Sequence, residues 1–219
     1  MATTATFADQ RDELNARLAA QAPAEALAAF GRLIAEQAAV DYAARAPKEG
    51  KRAPDFTLPD QLGRQVSLAG ELEHGPVVLI FYRGEWCPYC NIMLHTYGLR
   101  TGDFSDRGVR LVAVSPQTPD NSLTMAEKHD LAFPVLSDEG GEVIGMFGLK
   151  YDIEAQSRDL LSSAGIDVAR FNGTGGWILP APAVFVIDRE GIVRFASVQG
   201  DYTHRVEPDV VLAALDGWN

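Results

Sequence analysis

The stretch PVVLIFYRGEWCPYCN, Pro76 to Asn91, decides how this chain is read. It opens with seven residues, Pro76 to Tyr82, whose unbroken apolar character suits a strand buried on both faces. It closes on Cys87 and Cys90, the only cysteines in the chain, with Trp86 before them and Pro88 between them. After them Met93, Leu94 and Tyr97 recur at helical spacing. A strand that ends at a CxxC and continues as a helix predicts an α/β fold with the two sulfurs at a helix N-terminus.

That placement has chemical consequences. The first N–H groups of a helix lack partners within the helix, and the dipole favours negative charge there. Both effects favour thiolate over thiol, and such sites bring a cysteine from about 8.5 toward about 3.5–7.5. Positions i and i+3 of a helical turn place Cβ atoms about 5–6 Å apart. Disulfide-bonded Cα atoms lie about 4.4–6.8 Å apart. The pair can therefore pass between dithiol and disulfide with little backbone movement. Competing readings are an inert pair of buried thiols and half of a metal site. Zinc takes four ligands and iron–sulfur clusters four thiolates. The chain has two cysteines, and His74, His95, His129 and His204 show no paired spacing. No metal is expected, and a CxxC at a strand-to-helix junction points to redox work. Trp86 is placed to shield one side of the sulfurs.

Outward from this centre the strands and helices alternate. VRLVAVS (Val109–Ser115) is the next strand, a helix follows over about 120–130, and FPVLS is a short strand with a helix from about Glu139. AVFVID and IVRFASV form a hairpin turned at DREG (Asp188–Gly191), and EPDVVLAALDG closes the chain as a helix. A mixed sheet flanked by helices is expected. Another hairpin turns at Gly63. Lys150–Pro182 is the least regular stretch and reads as a surface loop, possible roof of the site, containing the Gly cluster GTGGW (Gly173–Trp177).

Residues 1–46 are rich in Ala and Leu. Asp9 is a candidate cap for a helix bearing Leu14 and Leu18, and Pro23 opens a second helix with Leu27, Phe30 and Ile34 on one side. Two units are expected: a helical extension, 1–46, and a main domain, 47–219, joined through APKEGKRAP. The narrow apolar stripe of the extension calls for packing on the main domain or on a partner subunit.

Composition excludes several function classes. The chain has 219 residues, 47% hydrophobic and 22% charged, with a net charge of −11. That charge opposes nucleic acid and anionic membrane surfaces. No apolar run approaches the roughly 20 residues of a membrane span. The N-terminus lacks the basic and apolar regions of a signal peptide, so a cytoplasmic protein is expected. No P-loop, HExxH or GxSxG occurs.

APDFTLPDQLGRQVSL (Ala53–Leu68), PVVLIFYRGEWCPYCN, LVAVSPQ (Leu111–Gln117) and PAPAVFVIDREGIVRF (Pro180–Phe195) together resemble the peroxiredoxins, the alkyl hydroperoxide reductase / thiol-specific antioxidant (AhpC/TSA) family, in its CxxC-bearing branch. The resemblance covers about residues 50–215. It implies a thioredoxin-like fold and thiol-based reduction of hydroperoxides, with a thioredoxin or glutathione-type reductant, a homodimer and no cofactor. The family pattern P-x-x-x-T-x-x-C places the peroxidatic cysteine at Cys90. Cys87 then stands where the family has threonine, Arg83 where it has proline, and Pro182 where it has arginine. WCPYC is also similar to the thioredoxin active site, in which the first cysteine, here Cys87, attacks. By the same likeness Pro182 corresponds to the thioredoxin cis-proline beside the sulfurs. Arg83 could supply the positive charge that the family arginine supplies elsewhere. His204 and Arg205 read as surface residues without a role. Three functions follow: a thiol peroxidase with Cys87 and Cys90 catalytic and Arg83, Trp86 and Pro182 positioning substrate; a protein disulfide reductase; or a binding or dimerisation module with incidental thiols.

Overall fold

The computed structural model describes residues 5–173 and 176–217. Two helices, α1 (Phe7–Gln21) and α2 (Ala24–Ala38), and a single turn, α3 (Tyr42–Arg45), precede a small hairpin, β1 (Thr57–Pro59) and β2 (Gln65–Ser67). Then come α4 (Leu68–His74), β3 (Val77–Phe81), α5 (Pro88–Leu99), α6 (Thr101–Ser105), β4 (Arg110–Ser115), α7 (Pro119–Lys128), β5 (Val135–Ser137) and α8 (Glu142–Met146). The chain continues through β6 (Lys150–Asp152), α9 (Ala155–Ser163), α10 (Val168–Asn172), β7 (Ile178–Pro180), β8 (Ala183–Ile187), β9 (Val193–Val198) and α11 (Pro208–Asp216).

The central sheet runs β5-β4-β3-β8-β9. β3, β4 and β5 are parallel, and β8 lies antiparallel to both β3 and β9. This is the expected mixed sheet. Every residue of β3 is buried, because successive side chains enter opposite faces and both faces are covered. Val78 and Ile80 join one core with Cys87, Cys90, Met93 and Leu94; Val77, Leu79 and Phe81 join the other with Phe147 and Phe185. The same two-residue alternation divides β4 and β8 between the cores.

The N-terminal helices lie on the cysteine face. Phe7, Leu14 and Leu33 belong to the core that contains both cysteines. Helix α1 begins with a capping box in which Thr6, not Asp9, is the cap: the Thr6 hydroxyl accepts from the Asp9 amide, and the Asp9 carboxylate accepts from the Thr6 amide. The Glu207 carboxylate, from the last loop, accepts from the amides of Phe7 and Ala8 at 3.0 and 2.9 Å, closing the remaining N-terminal donors. The joining stretch after Ala46 is also anchored. Gly50 donates to Val193 (2.8 Å), Val193 to Lys51 (2.9 Å) and Ala53 to Gly191 (2.9 Å), so it runs beside the β8–β9 turn.

Lys150–Pro182 is more regular than its composition suggests. β6 and β7 pair antiparallel, and Leu161 of α9 and Val168 of α10 form a small core with Ile153 and with Leu179 of β7. Of the Gly cluster, Thr174 and Gly175 lie outside the described residues. No helix among the described residues is long and apolar enough to cross a membrane.

Candidate active site

Cys87 caps α5 in extended conformation, Pro88 takes the first helical position where no amide is needed, and Cys90 sits one turn in. Both are free thiols, 1% and 0% exposed. The sharp path from β3 into the helix passes through Gly84, whose φ of +151° suits glycine. A Cβ there would stand 2.5 Å from the Trp86 indole nitrogen. Two side chains hold the turn: Gln117 accepts from the Glu85 amide (2.8 Å), and Asn91 donates to the carbonyls of Glu85 (2.6 Å) and Cys87 (2.9 Å). His129 contacts the other end of the Asn91 amide at 2.9 Å.

The two sulfurs have unlike environments. The Arg83 backbone amide and the Arg205 guanidinium each approach the Cys90 sulfur at 3.4 Å. Burial works hardest against a Cys90 thiolate, but the Cys87 thiol as donor, the Arg205 charge, the Arg83 amide and the Arg83 charge together outweigh it. Cys90 is held well below the ordinary thiol range. Cys87 is pushed the other way, first by burial and then by its neighbour Cys90, against a weaker pull from Arg83 and Arg205. The surroundings thus favour negative charge on Cys90 and disfavour it on Cys87.

Arg83 is buried, 3% exposed, with its guanidinium carbon 3.8 Å from the Tyr202 ring centroid and 5.0 Å from that of Trp86. This is cation–π geometry. Its Nη1 lies 4.0 Å from the Cys87 sulfur. Burial opposes the charge, but Tyr151, Cys87, Tyr202 and Cys90 outweigh it and hold Arg83 protonated. Trp86 packs over Arg83 and the small core of the Lys150–Pro182 region. Several donors around the turn have no acceptor among the described residues: Arg83 Nε, Arg205 Nε, Trp86 Nε1 and Gln117 Nε2.

Two expectations are corrected here. No peptide bond among the described residues is cis, so Ala181–Pro182 is trans. The chain passes directly from β7 into β8, with the Ala181 amide bonded to Leu149 (2.8 Å) and the Pro182 carbonyl to Gln199 (2.9 Å), a path that extended trans backbone satisfies. Arg205, read as a surface residue, is 9% exposed and touches Cys90. Its Nη1 donates to the carbonyls of Tyr202 and His204, both at 2.6 Å, which fixes its fork toward the sulfur. His204 does face solvent, beside Asp201. Among the described residues no His/Cys/Asp/Glu cluster could hold a metal.

A buried pair of free cysteines where a central strand meets a helix, on a sheet of this order, defines a thioredoxin-fold thiol protein. The chain belongs to the AhpC/TSA family, whose sequence profile matches residues 50–196. A Mycobacterium tuberculosis protein described as a peroxiredoxin, Rv2521, is 36% identical over 99 residues, 45% of this chain and 62% of that one. The chain thus spans less than two thirds of that relative. The chloroplastic peroxiredoxin Q of Sedum lineare is 28% identical over 161 residues, 74% of this chain and 72% of the relative. The crystal structure of the peroxidoxin BcpB from Mycobacterium tuberculosis superposes with a TM-score of 0.63 at 26% identity, covering 79% of this chain and 99% of that one. Arg205 and helices α1 and α2 lie outside the span that the family profile matches.

Proposed function

We propose that this protein is a thiol peroxidase that reduces hydroperoxides through Cys90 and Cys87. One observation carries the reading: the Cys90 sulfur accepts from the Arg83 amide and the Arg205 guanidinium while the Cys87 thiol lies beside it. In the reaction, the Cys90 thiolate attacks the terminal oxygen of a hydroperoxide. An S–O bond forms, the O–O bond breaks, and the leaving alkoxide or hydroxide takes a proton, so that Cys90 becomes a sulfenic acid and the peroxide an alcohol or water. Arg83 and Arg205 stand where charge moves from sulfur to oxygen, and their unpartnered Nε–H groups are the donors available to it. The Cys87 thiol then loses its proton and attacks the sulfenic sulfur. Water leaves and a Cys87–Cys90 disulfide remains. Two electrons from a thioredoxin or glutathione-type thiol restore the pair. Such a cycle belongs in a compartment that maintains reducing thiols, and we place the protein in the cytoplasm.

Arg83 thereby takes over charge that the family pattern places elsewhere, with Trp86 and Tyr202 fixing its plane. The disulfide reductase reading has less support: burial and the neighbouring Cys90 disfavour a thiolate at Cys87, its attacking sulfur, and Pro182 is trans. The homodimer of the family would use a surface other than the buried side of α1. The test is stopped-flow reaction of the reduced protein with hydrogen peroxide. Consumption at least a hundredfold faster than free cysteine, with loss of both thiols, is expected. A rate equal to free cysteine rejects the peroxidase.

A further inference from the structure

The buried guanidinium of Arg83 forms part of a second feature. A pocket of about 190 Å³ opens between α2 and the β6–α9 region, and Arg83 lines it. Leu33 and Val40, from α2 and the segment after it, form one wall; Tyr151, Ile153, Ser157 and Leu161 form the other. The volume lies below the roughly 300–1,000 Å³ of sites for drug-sized ligands. Apolar and polar side chains share the lining, with the exposed Glu36 and Glu154 and the half-buried Gln37 among the polar ones. Arg83 is 3% exposed, its Nε has no acceptor among the described residues, and its Nη1 lies 4.0 Å from the Cys87 sulfur. A group bound at its donors is next to the reacting pair.

We propose that this pocket seats the organic part of the substrate and that α2, outside the family profile, decides which hydroperoxides react. The inference rests on the peroxidase reading. A hydroperoxide whose oxygens reach the Arg83 donors keeps its organic group between Leu33 and Val40 on one side and Ile153 and Leu161 on the other. The pocket admits a compact apolar tail and excludes a long acyl chain. Glu36 and Glu154 repel a carboxylate, so hydroperoxides bearing an acid group are disfavoured against neutral ones. Hydrogen peroxide has no tail and gains nothing from the walls. The pocket therefore contributes selectivity through binding energy on a non-reacting part of the substrate.

Narrowing the pocket tests this. Ser157→Trp from α9 and Val40→Phe from the opposite wall each fill it without touching the sulfurs, and they report independently should one fail to fold. With the full chain, both are expected to lower kcat/KM for cumene hydroperoxide at least tenfold while hydrogen peroxide changes less than threefold. Binding of cumyl alcohol, followed by ligand-observed NMR, should be present in the unaltered protein and lost in both variants. An unmoved ratio of the two peroxides, or no cumyl alcohol binding by the unaltered protein, overturns the assignment. Should the unaltered protein consume neither peroxide, the peroxidase reading fails by itself. The NMR arm then still decides whether a compact neutral oxygen compound occupies the pocket, and binding that survives both substitutions rejects it.

Discussion

Replacing Arg205 by Met keeps length and apolar stem while removing the charge at Cys90. The guanidinium nitrogen is 3.4 Å from the sulfur, and both groups are buried. At an effective dielectric near 20, unit charges about 4 Å apart attract by about 4 kcal/mol. The guanidinium spreads its charge over three nitrogens, and Arg83 and the Arg83 amide remain to stabilise the thiolate. A loss of about 1.4–2.8 kcal/mol is therefore expected, which moves the Cys90 thiolate up by about one to two pH units. Two assays read it: ultraviolet absorbance of the thiolate against pH, and the acid limb of the peroxide reaction rate. Both midpoints should rise together, and Arg205→Lys should recover part of the shift. The sign is fixed by the chemistry, since the variant needs higher pH to hold the same fraction of thiolate. A midpoint unchanged by Arg205→Met would show that the Arg205 contact does not stabilise the anion and that the attack is organised some other way.

Other substitutions test the surroundings. Arg83→Gln should slow peroxide consumption at least tenfold in stopped flow while the circular dichroism spectrum is unchanged; an unaffected rate removes Arg83 from the mechanism. Gly84→Ala should destabilise by about 1–3 kcal/mol in denaturant melts, because its φ of +151° is strained for alanine and its Cβ would press on Trp86. His129 is lowered to about 4 by burial first, then by Lys128 and His95. The unfolded chain therefore binds a proton near pH 6.5 that the folded chain refuses until about 4, and stability falls as pH drops through that window. With the ring partly exposed, the loss is about 1–2 kcal/mol, and His129→Gln should flatten that part of the stability profile. A chain beginning at Lys48 should lose the native near-ultraviolet spectrum, since Phe7, Leu14 and Leu33 pack in the cysteine core; a native spectrum would show the extension to be separable.

The frame was legible where local pattern and burial agree. Pro76–Tyr82 is apolar throughout because β3 faces two cores, and the CxxC marks the next helix start by its proline and its spacing. The hairpins at Gly63 and Asp188–Gly191 and the closing helix were equally plain. The Lys150–Pro182 region was not, because β6 and β7 have three residues each and α9 buries only Leu161, too little for a period to show. The cap of α1 is Thr6, three residues before Asp9; an Asp at the third helical position looks like a cap in isolation. Arg205 could not be found by spacing. It is 115 residues from Cys90, in a loop without periodicity, and only the fold brings its fork to the sulfur. Pro182 resembles the proline of another thiol site in sequence alone; the direct run from β7 into β8 sets its geometry.

The proposed peroxidase cycle stands on Cys90 as the attacking sulfur and Cys87 as the resolving one. Mass spectrometry of Cys87→Ser and Cys90→Ser proteins, each treated briefly with hydrogen peroxide and a sulfenic-acid reagent, reads this directly. The label should appear on Cys90 in the Cys87→Ser protein at close to the unaltered rate of peroxide consumption, and the Cys90→Ser protein should react no faster than free cysteine. Rapid labelling of Cys87 in the Cys90→Ser protein, with a slow Cys87→Ser protein, would contradict it.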